Sequence, residues 1–143
     1  MHDISFSIQL FLTATFAVEY VEKKLKKIGL DRNEFLYIIV AKYFPSVSQS
    51  TIAKKLNVNR STVSRIISKL IKKDYCYREN SENNRDFNVY LTNKGQETCT
   101  DIEKVISEFE DKYLNTLGNT KDFTNTFWDF FTKIREAQFG IKK

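Results

Sequence analysis

A mostly helical fold with one small β-hairpin is predicted from three features of the sequence. The chain has 143 residues, which is an ordinary size for one domain. It contains only four Gly and one Pro, which favours long helices over loops. Apolar residues recur every three or four positions along most of the chain, but this period is lost after residue 74, and at residues 87–91 they recur at every second position. We therefore expect a single helical domain over residues 1–143, with a short hairpin near its middle.

The N-terminal helix carries the longest apolar stripe. The stripe ends at Ile28, and Gly29 follows as a typical helix end. A second apolar face lies beside the first, and a helix that is apolar on two sides needs two packing partners, which favours a dimer. The first face consists of Phe11, Ala14, Val18, Val21, Leu25 and Ile28, and the second of Phe6, Leu10, Ala17 and Tyr20.

The second helix is predicted to start at a capping box and to end before Pro45. Asp31 and Glu34 have the spacing of a capping box, in which the two side chains cap each other's backbone N–H groups. The buried face that follows has the 3–4 spacing of a helix. It consists of Phe35, Ile38, Ile39 and Tyr43.

The third and fourth helices form a helix-turn-helix pattern. Ser48 is placed to cap the third helix, and Asn57 is a residue type that tolerates the left-handed conformation at a helix end. Asn59 is placed to cap the fourth helix only two residues later, so the two helices are joined by a turn of about three residues. The inward positions are Ile52, Ala53 and Leu56 on the third helix, and Val63, Ile66, Ile67 and Leu70 on the fourth.

A hairpin follows, and after it two further helices. Strands are predicted at residues 75–78 and 87–91, joined by a polar loop. A hairpin that directly follows a helix-turn-helix is a wing. Thr92 is placed to cap a long fifth helix that ends at Gly118, and a sixth helix starts near Asp122. The residues that the sixth helix is expected to bury are Phe123, Phe127, Phe130, Phe131 and Ile134.

Positive charge is concentrated in the helix-turn-helix and the hairpin. Residues 51–95 contain ten Lys and Arg against four Asp and Glu, whereas the two flanking segments together carry one more acid than base. Such a basic segment between acidic flanks is typical of a nucleic-acid contact surface. The alternative is a basic face that is merely solvated.

Several classes of protein are excluded by composition. The single His, His2, and the two cysteines, Cys76 and Cys99, are too few for a zinc site or for nucleophile–His catalysis. The glycines stand apart, so there is no glycine-rich phosphate loop. No membrane span or secretory signal is recognisable. We therefore expect a cytoplasmic, non-enzymatic protein without a metal or cofactor, whose two thiols are buried and inert.

The exposed face of the fourth helix is the candidate recognition surface. Hydroxyl side chains allow a helix to approach DNA closely, and Arg can form a bidentate pair with guanine in the major groove. Arg85 at the hairpin tip could reach the adjacent minor groove. The alternative is a helix face that Ser and Arg simply make soluble. Phosphate contacts are predicted for Lys54, Lys55, Lys69 and Lys73, and sequence-reading contacts for Arg60, Ser61, Ser64 and Arg65.

Residues 48–95 resemble the MarR (multiple antibiotic resistance regulator) family of winged helix-turn-helix transcriptional regulators. The resemblance rests on the helix-turn-helix at 48–70, on Arg85, and on the segment Leu-Thr-Asn-Lys-Gly at 91–95 that closes the wing. Two positions depart from the family pattern. Asn83 and Asn84 precede the wing Arg where the family often has an acid, and Asp74 replaces a common Gly.

The resemblance implies a homodimeric repressor that binds a pseudo-palindromic operator and is released by a small, often aromatic, effector. Residues 31–95 would form the DNA-binding region, and residues 1–30 and 96–143 would form the dimerisation helices. The implied DNA contacts are Arg60, Ser61, Thr62, Ser64, Arg65, Lys69 and Arg85. Two alternatives stay open: a winged-helix module for protein–protein assembly without sequence-specific DNA binding, and a regulator that responds to oxidants through a cysteine.

Overall fold

The computed structural model describes residues 3–31 and 33–139, without the side chains of residues 138 and 139, so the lone histidine His2 lies outside the described part. Within these residues, six α-helices and three short strands follow one another. They are α1 (Phe6–Leu25), α2 (Glu34–Tyr43), β1 (Val47–Ser48), α3 (Gln49–Leu56), α4 (Arg60–Lys72), β2 (Cys76–Asn80), β3 (Phe87–Leu91), α5 (Asn93–Tyr113) and α6 (Lys121–Phe139). Single 3-10 turns follow α1 (Lys26–Ile28) and α5 (Asn115–Leu117). The predicted fold class is confirmed.

The core lies between α2, α3, α4 and a three-stranded antiparallel sheet, and buried residues of α1 and α5, such as Leu25 and Ile102, complete it. All four predicted inward residues of α4 are buried, and the side chain of Val63 is fully enclosed. Strand β3 lies at the centre of the sheet, with β1 on one side and β2 on the other. The sequence did not indicate β1, because its two residues pair only with Val89 and Asn88, which lie at least forty positions away in the chain.

Most of the predicted helix ends are confirmed. Gly29 and Asn57 adopt left-handed conformations, as does Asp74, which replaces the Gly common in the family. The Ser48 side chain accepts a hydrogen bond from the Thr51 N–H, and the Thr92 side chain accepts one from the Gly95 N–H. These caps hold the first turns of α3 and α5.

The capping box predicted for α2 is only half formed. The Glu34 carboxylate accepts a hydrogen bond from the Asp31 N–H at 2.7 Å, but α2 begins at Glu34, after Asn33 in a left-handed conformation. Asp31 does not cap the helix, because its carboxylate binds the ammonium of Lys73 at 3.1 Å instead. The prediction for Asp31 was therefore wrong.

Lys73 connects the end of α4 to the segment between α1 and α2. Its ammonium lies 3.0 Å and 3.2 Å from the two oxygens of Glu34, whose side chain is only 2% exposed, and it donates to the Gly29 carbonyl at 3.0 Å. Burial alone would lower the pKa of Lys73, but the hydrogen bonds and charges of Glu34 and Asp31 outweigh it, so the pKa lies above its usual value. We call Lys73, Glu34 and Asp31 the α4 clamp.

Gly95 is required by a close approach of two backbones. A Cβ atom at this position would lie 2.0 Å from the Tyr75 carbonyl oxygen, and that oxygen accepts a hydrogen bond from the Thr92 N–H. The first turn of α5 therefore packs directly against the backbone that enters β2. This contact explains in physical terms why a Gly closes the segment at 91–95.

Helices α1 and α6 expose much of their apolar surface. Rings from α1 and α5 pack together, as where Tyr20 lies 5.3 Å from Phe109. The predicted burial of the α6 stripe does not occur within one chain, because only Phe127 is half-buried there. The exposed large side chains of α1 and α6 are Phe6, Ile8, Phe11, Leu12, Phe16, Phe123, Trp128, Phe130, Phe131 and Ile134.

Candidate nucleic-acid interface

Helix α4 presents a polar and cationic face opposite its buried one. Arg60, Ser61, Arg65 and Lys69 are exposed, whereas Thr62 and Ser64 are half-buried. The first turn of α4 contains no acidic residue. The structure thus brings six of the seven predicted contact residues together on one helix, with the three longest side chains directed to solvent.

The turn between α3 and α4 is held by backbone hydrogen bonds. The Val58 N–H donates to the Ala53 carbonyl at 3.0 Å, across Asn57 in its left-handed conformation. Asn59 occupies the cap position of α4, but its side chain accepts no hydrogen bond from the first turn, so this part of the prediction was wrong. The N–H groups at the start of α4 therefore have no side-chain cap.

The hairpin tip has a defined conformation that presents Arg85. The Asn83 side chain accepts hydrogen bonds from the Ser81 hydroxyl at 2.8 Å and from the Arg85 N–H at 3.1 Å. Asn84 has a φ of 55°, which Asn tolerates better than most residues. Arg85 is exposed at this tip, at the other end of the hairpin from the core.

Asp86, which sequence reasoning missed, joins the hairpin to both helices of the helix-turn-helix. Its Oδ2 accepts a hydrogen bond from the Ser50 N–H, in the first turn of α3, at 3.2 Å. Its Oδ1 accepts one from the Phe87 N–H at 2.7 Å and lies 3.8 Å from Arg60 Nη2. These contacts span up to 36 positions of the chain, so no local signal in the sequence could have identified them.

The environment of Asp86 favours its charged form. Partial burial alone would raise its pKa, but hydrogen bonds from Ser50 and Phe87 and the positive charge of Arg60 outweigh burial, so the pKa of Asp86 lies below its usual value. The side chain of Asp86 is 16% exposed and that of Arg60 is 65% exposed. A mostly solvated Arg is therefore paired with a well-anchored carboxylate.

The predicted phosphate-binding lysines differ in their surroundings. Lys54 and Lys69 are exposed. The ammonium of Lys55 lies 3.6 Å from the centre of the Phe44 ring, and burial together with the charge of Arg135 lowers the pKa of Lys55. The structure does not favour Lys73 as a phosphate contact, because its ammonium is held in the α4 clamp.

Both cysteines are buried. Burial raises the pKa of Cys76 to about 12, and burial together with the charge of Glu103 raises the pKa of Cys99. A thiol with a raised pKa is a poor nucleophile, because little thiolate forms at neutral pH. In the part of the chain that the structure describes, no group of three His, Cys, Asp or Glu is placed to hold a metal ion.

A groove of about 910 Å³ runs along α1, and its lining mixes apolar and charged side chains. The lining residues are Ala14, Thr15, Val18, Glu19, Glu22, Lys23, Lys26, Leu30 and Asp31. Asp31 also belongs to the α4 clamp, so the groove reaches the contact that holds the end of α4.

No described helix is long and apolar enough to cross a membrane.

The central part of the chain is similar to one known protein family. Residues 30–85 match the model of the MarR family. The chain is 25% identical over 103 residues to the HTH-type transcriptional regulator BilQ of Clostridioides difficile (strain CD3), an alignment that covers 71% of this chain and 70% of that protein. It is 24% identical over 126 residues to the regulator of the same name from Clostridium symbiosum (strain WAL-14163), with 87% and 88% covered.

Solved structures of MarR regulators share the fold. A MarR transcriptional regulator from Methanosarcina mazei Go1 superposes with a TM-score of 0.84 at 21% identity, over 92% of this chain and 96% of that one. A MarR family regulator from Listeria monocytogenes, in complex with 26mer DNA, gives 0.79 at 22% identity over 96% and 89%. CouR from Rhodococcus jostii RHA1, bound to p-coumaroyl-CoA, gives 0.79 at 16% identity over 97% and 95%.

Proposed function

We propose that the chain is a DNA-binding regulator of the MarR family of winged helix-turn-helix transcriptional regulators, and not an enzyme. In this proposal it is a cytoplasmic repressor that binds a pseudo-palindromic operator as a homodimer. The observation that carries this proposal is the face of α4, where Arg60, Arg65 and Lys69 are directed to solvent above a fully buried apolar face. A helix of this kind fits the major groove, and Arg85 on the hairpin would enter the adjacent minor groove.

The exposed apolar faces of α1 and α6 support a homodimer. Phe11 is 66% exposed and Trp128 is 59% exposed, and a monomeric protein rarely leaves so many large apolar residues uncovered. A second copy with the same faces would cover them through a two-fold interface. Residues 1–30 and 96–143 would then form the dimer, and residues 31–95 would bind DNA. Two recognition helices about 34 Å apart would read half-sites about 10 bp apart.

The groove along α1 supports release by a small effector. It has apolar side chains for an aromatic ring and charged side chains for a polar substituent. The related fold of CouR was solved with p-coumaroyl-CoA, a ligand that contains an aromatic group. We propose a small aromatic effector whose binding at this groove lowers the affinity for DNA.

Binding to DNA from the chain's own upstream region, against a scrambled competitor and over a salt series, tests the proposal. Tight binding to one inverted repeat that resists the competitor is the expected result. Replacement of Arg65 by Ala should cost about 1–3 kcal/mol of binding free energy and relax the preference at one base pair. Lys104→Ala removes a positive charge from an exposed site on α5 and is the matched control.

Two results would contradict the proposal. Equal and steeply salt-dependent binding to both DNAs would indicate only a basic surface, and a protein–protein assembly module would then be favoured. A stable monomer in sedimentation would exclude the homodimer.

A further inference from the structure

Asp86 lies where a negative charge is unexpected. Arg60 and Arg85, two of the predicted DNA contacts, lie beside it. On the proposed function this surface faces a polyanion, so an exposed carboxylate there would repel phosphates. This carboxylate is instead 16% exposed and accepts hydrogen bonds from two backbone N–H groups. One of these groups belongs to the first turn of α3, where the helix dipole favours a negative charge. The charge of Asp86 is therefore largely balanced by the protein itself.

The contacts of Asp86 connect three elements. It follows Arg85 directly in the chain, its carboxylate binds the start of α3 through Ser50, and it lies beside Arg60 at the start of α4. Its backbone also closes the hairpin loop, because the Ser81 N–H donates to the Asp86 carbonyl at 2.9 Å. A change in the position of Asp86 would therefore move the hairpin tip relative to both helices.

From this geometry we propose that Asp86 is a positioning residue for sequence recognition: it holds the hairpin against the start of α3, beside the start of α4, so that Arg85 is placed beside the groove that α4 reads. The inference rests on the proposed function and adds to it a residue that binds no DNA itself. The pair with Arg60 is long, at 3.8 Å, and Arg60 is 65% exposed. Such surface pairs contribute little, so Arg60 can leave Asp86 for a phosphate at small cost.

Replacement of Asp86 by Ala separates this role from simple charge repulsion. Loss of a negative charge should leave the affinity for scrambled DNA unchanged or slightly raised. Loss of the anchor should lower the affinity for the operator about tenfold, which is the size of effect that follows from losing a carboxylate cap on a helix N-terminus. Asp86→Asn keeps an oxygen that can accept from the Ser50 N–H, so it should recover most of the operator affinity.

Glu82→Ala is the matched control, because Glu82 is an exposed acid in the same hairpin loop. It removes the same charge and should leave operator affinity unchanged. Asp86→Ala should also have little further effect in an Arg85→Ala background, because Asp86 acts on operator binding mainly through Arg85. Thermal unfolding of each variant measures folding separately.

The DNA affinities and the Tm of these variants distinguish a positioning role of Asp86 from a purely structural role and from charge repulsion. An equal loss of affinity for both DNAs together with a lower Tm would overturn the proposal in favour of a purely structural role. A gain in affinity for both DNAs would overturn it in favour of charge repulsion alone. If the wild-type protein does not distinguish the operator from scrambled DNA, the proposed function itself fails, and this inference fails with it.

Discussion

Removal of the ammonium from the α4 clamp should strongly destabilise the protein. In Lys73→Met the carboxylate of Glu34, which is 2% exposed, would keep the hydrogen bond from the Asp31 N–H but lose its cation. Removing one partner of a buried pair costs about 3–5 kcal/mol. Lys73 is 31% exposed, so water can partly replace it, and we expect about 3 kcal/mol.

Urea denaturation at one fixed protein concentration measures this cost, which for a chain of this length corresponds to a fall in Tm of about 10 °C. The double variant Lys73→Met with Glu34→Gln removes both charges and should be more stable than Lys73→Met alone, because no uncompensated carboxylate remains. A single variant as stable as the double variant would refute the reasoning. The salt dependence of DNA binding should stay unchanged in folded Lys73→Met, since the ammonium of Lys73 is bound to Glu34 rather than directed towards DNA, contrary to the phosphate contact that the sequence predicts.

The pH dependence of the same comparison follows from the raised pKa of Lys73. The folded-state pKa lies above that of the unfolded chain, so the contribution of the clamp is fully present below about pH 10.4, the ordinary lysine pKa. It is lost as the pH rises through the folded-state pKa. The difference in stability between wild type and Lys73→Met should therefore be constant near neutral pH and shrink in alkaline solution.

Two further predictions concern backbone packing and the thiols. Gly95→Ala would place its Cβ 2.0 Å from the Tyr75 carbonyl oxygen, so we expect a loss of about 3 kcal/mol in denaturation, the upper end of typical overpacking. Gly29→Ala is the control: Gly29 has a left-handed conformation with a φ of 89°, and the nearest atom to its Cβ would be Tyr75 Oη at 3.8 Å, so it should lose only about 1 kcal/mol. Equal losses would contradict the packing argument. Cys76, with a pKa of about 12, should resist alkylation at pH 8 in the native protein and react quickly in denaturant, whereas fast native labelling would revive the redox alternative.

Local signals predicted most of the fold, because they depend on residues close together in the chain. The Ser48 and Thr92 caps and the left-handed Asn57 follow from side-chain chemistry within one helical turn. Contacts between distant segments could not be predicted from such local signals. Strand β1 exists only through its pairing with β3, and Asp31 binds a lysine 42 positions away instead of capping α2. The apolar stripe of α6 was identified correctly as a pattern, but its expected burial requires a surface that a single chain does not supply.

In the candidate site, the composition of the sequence predicted the type of surface, but not the contacts that its residues make. The excess of basic residues over 51–95 indicated a nucleic-acid surface, yet two of these cations are engaged at the two ends of α4. Arg60 pairs with Asp86 near the first turn, and Lys73 binds Glu34 just beyond the last turn. One pair is mostly solvated and can open, whereas the other includes a buried carboxylate and is expected to stay closed. Helix α4 is therefore fixed firmly at its C-terminal end, near the groove along α1, and held reversibly at its N-terminal end, beside the hairpin.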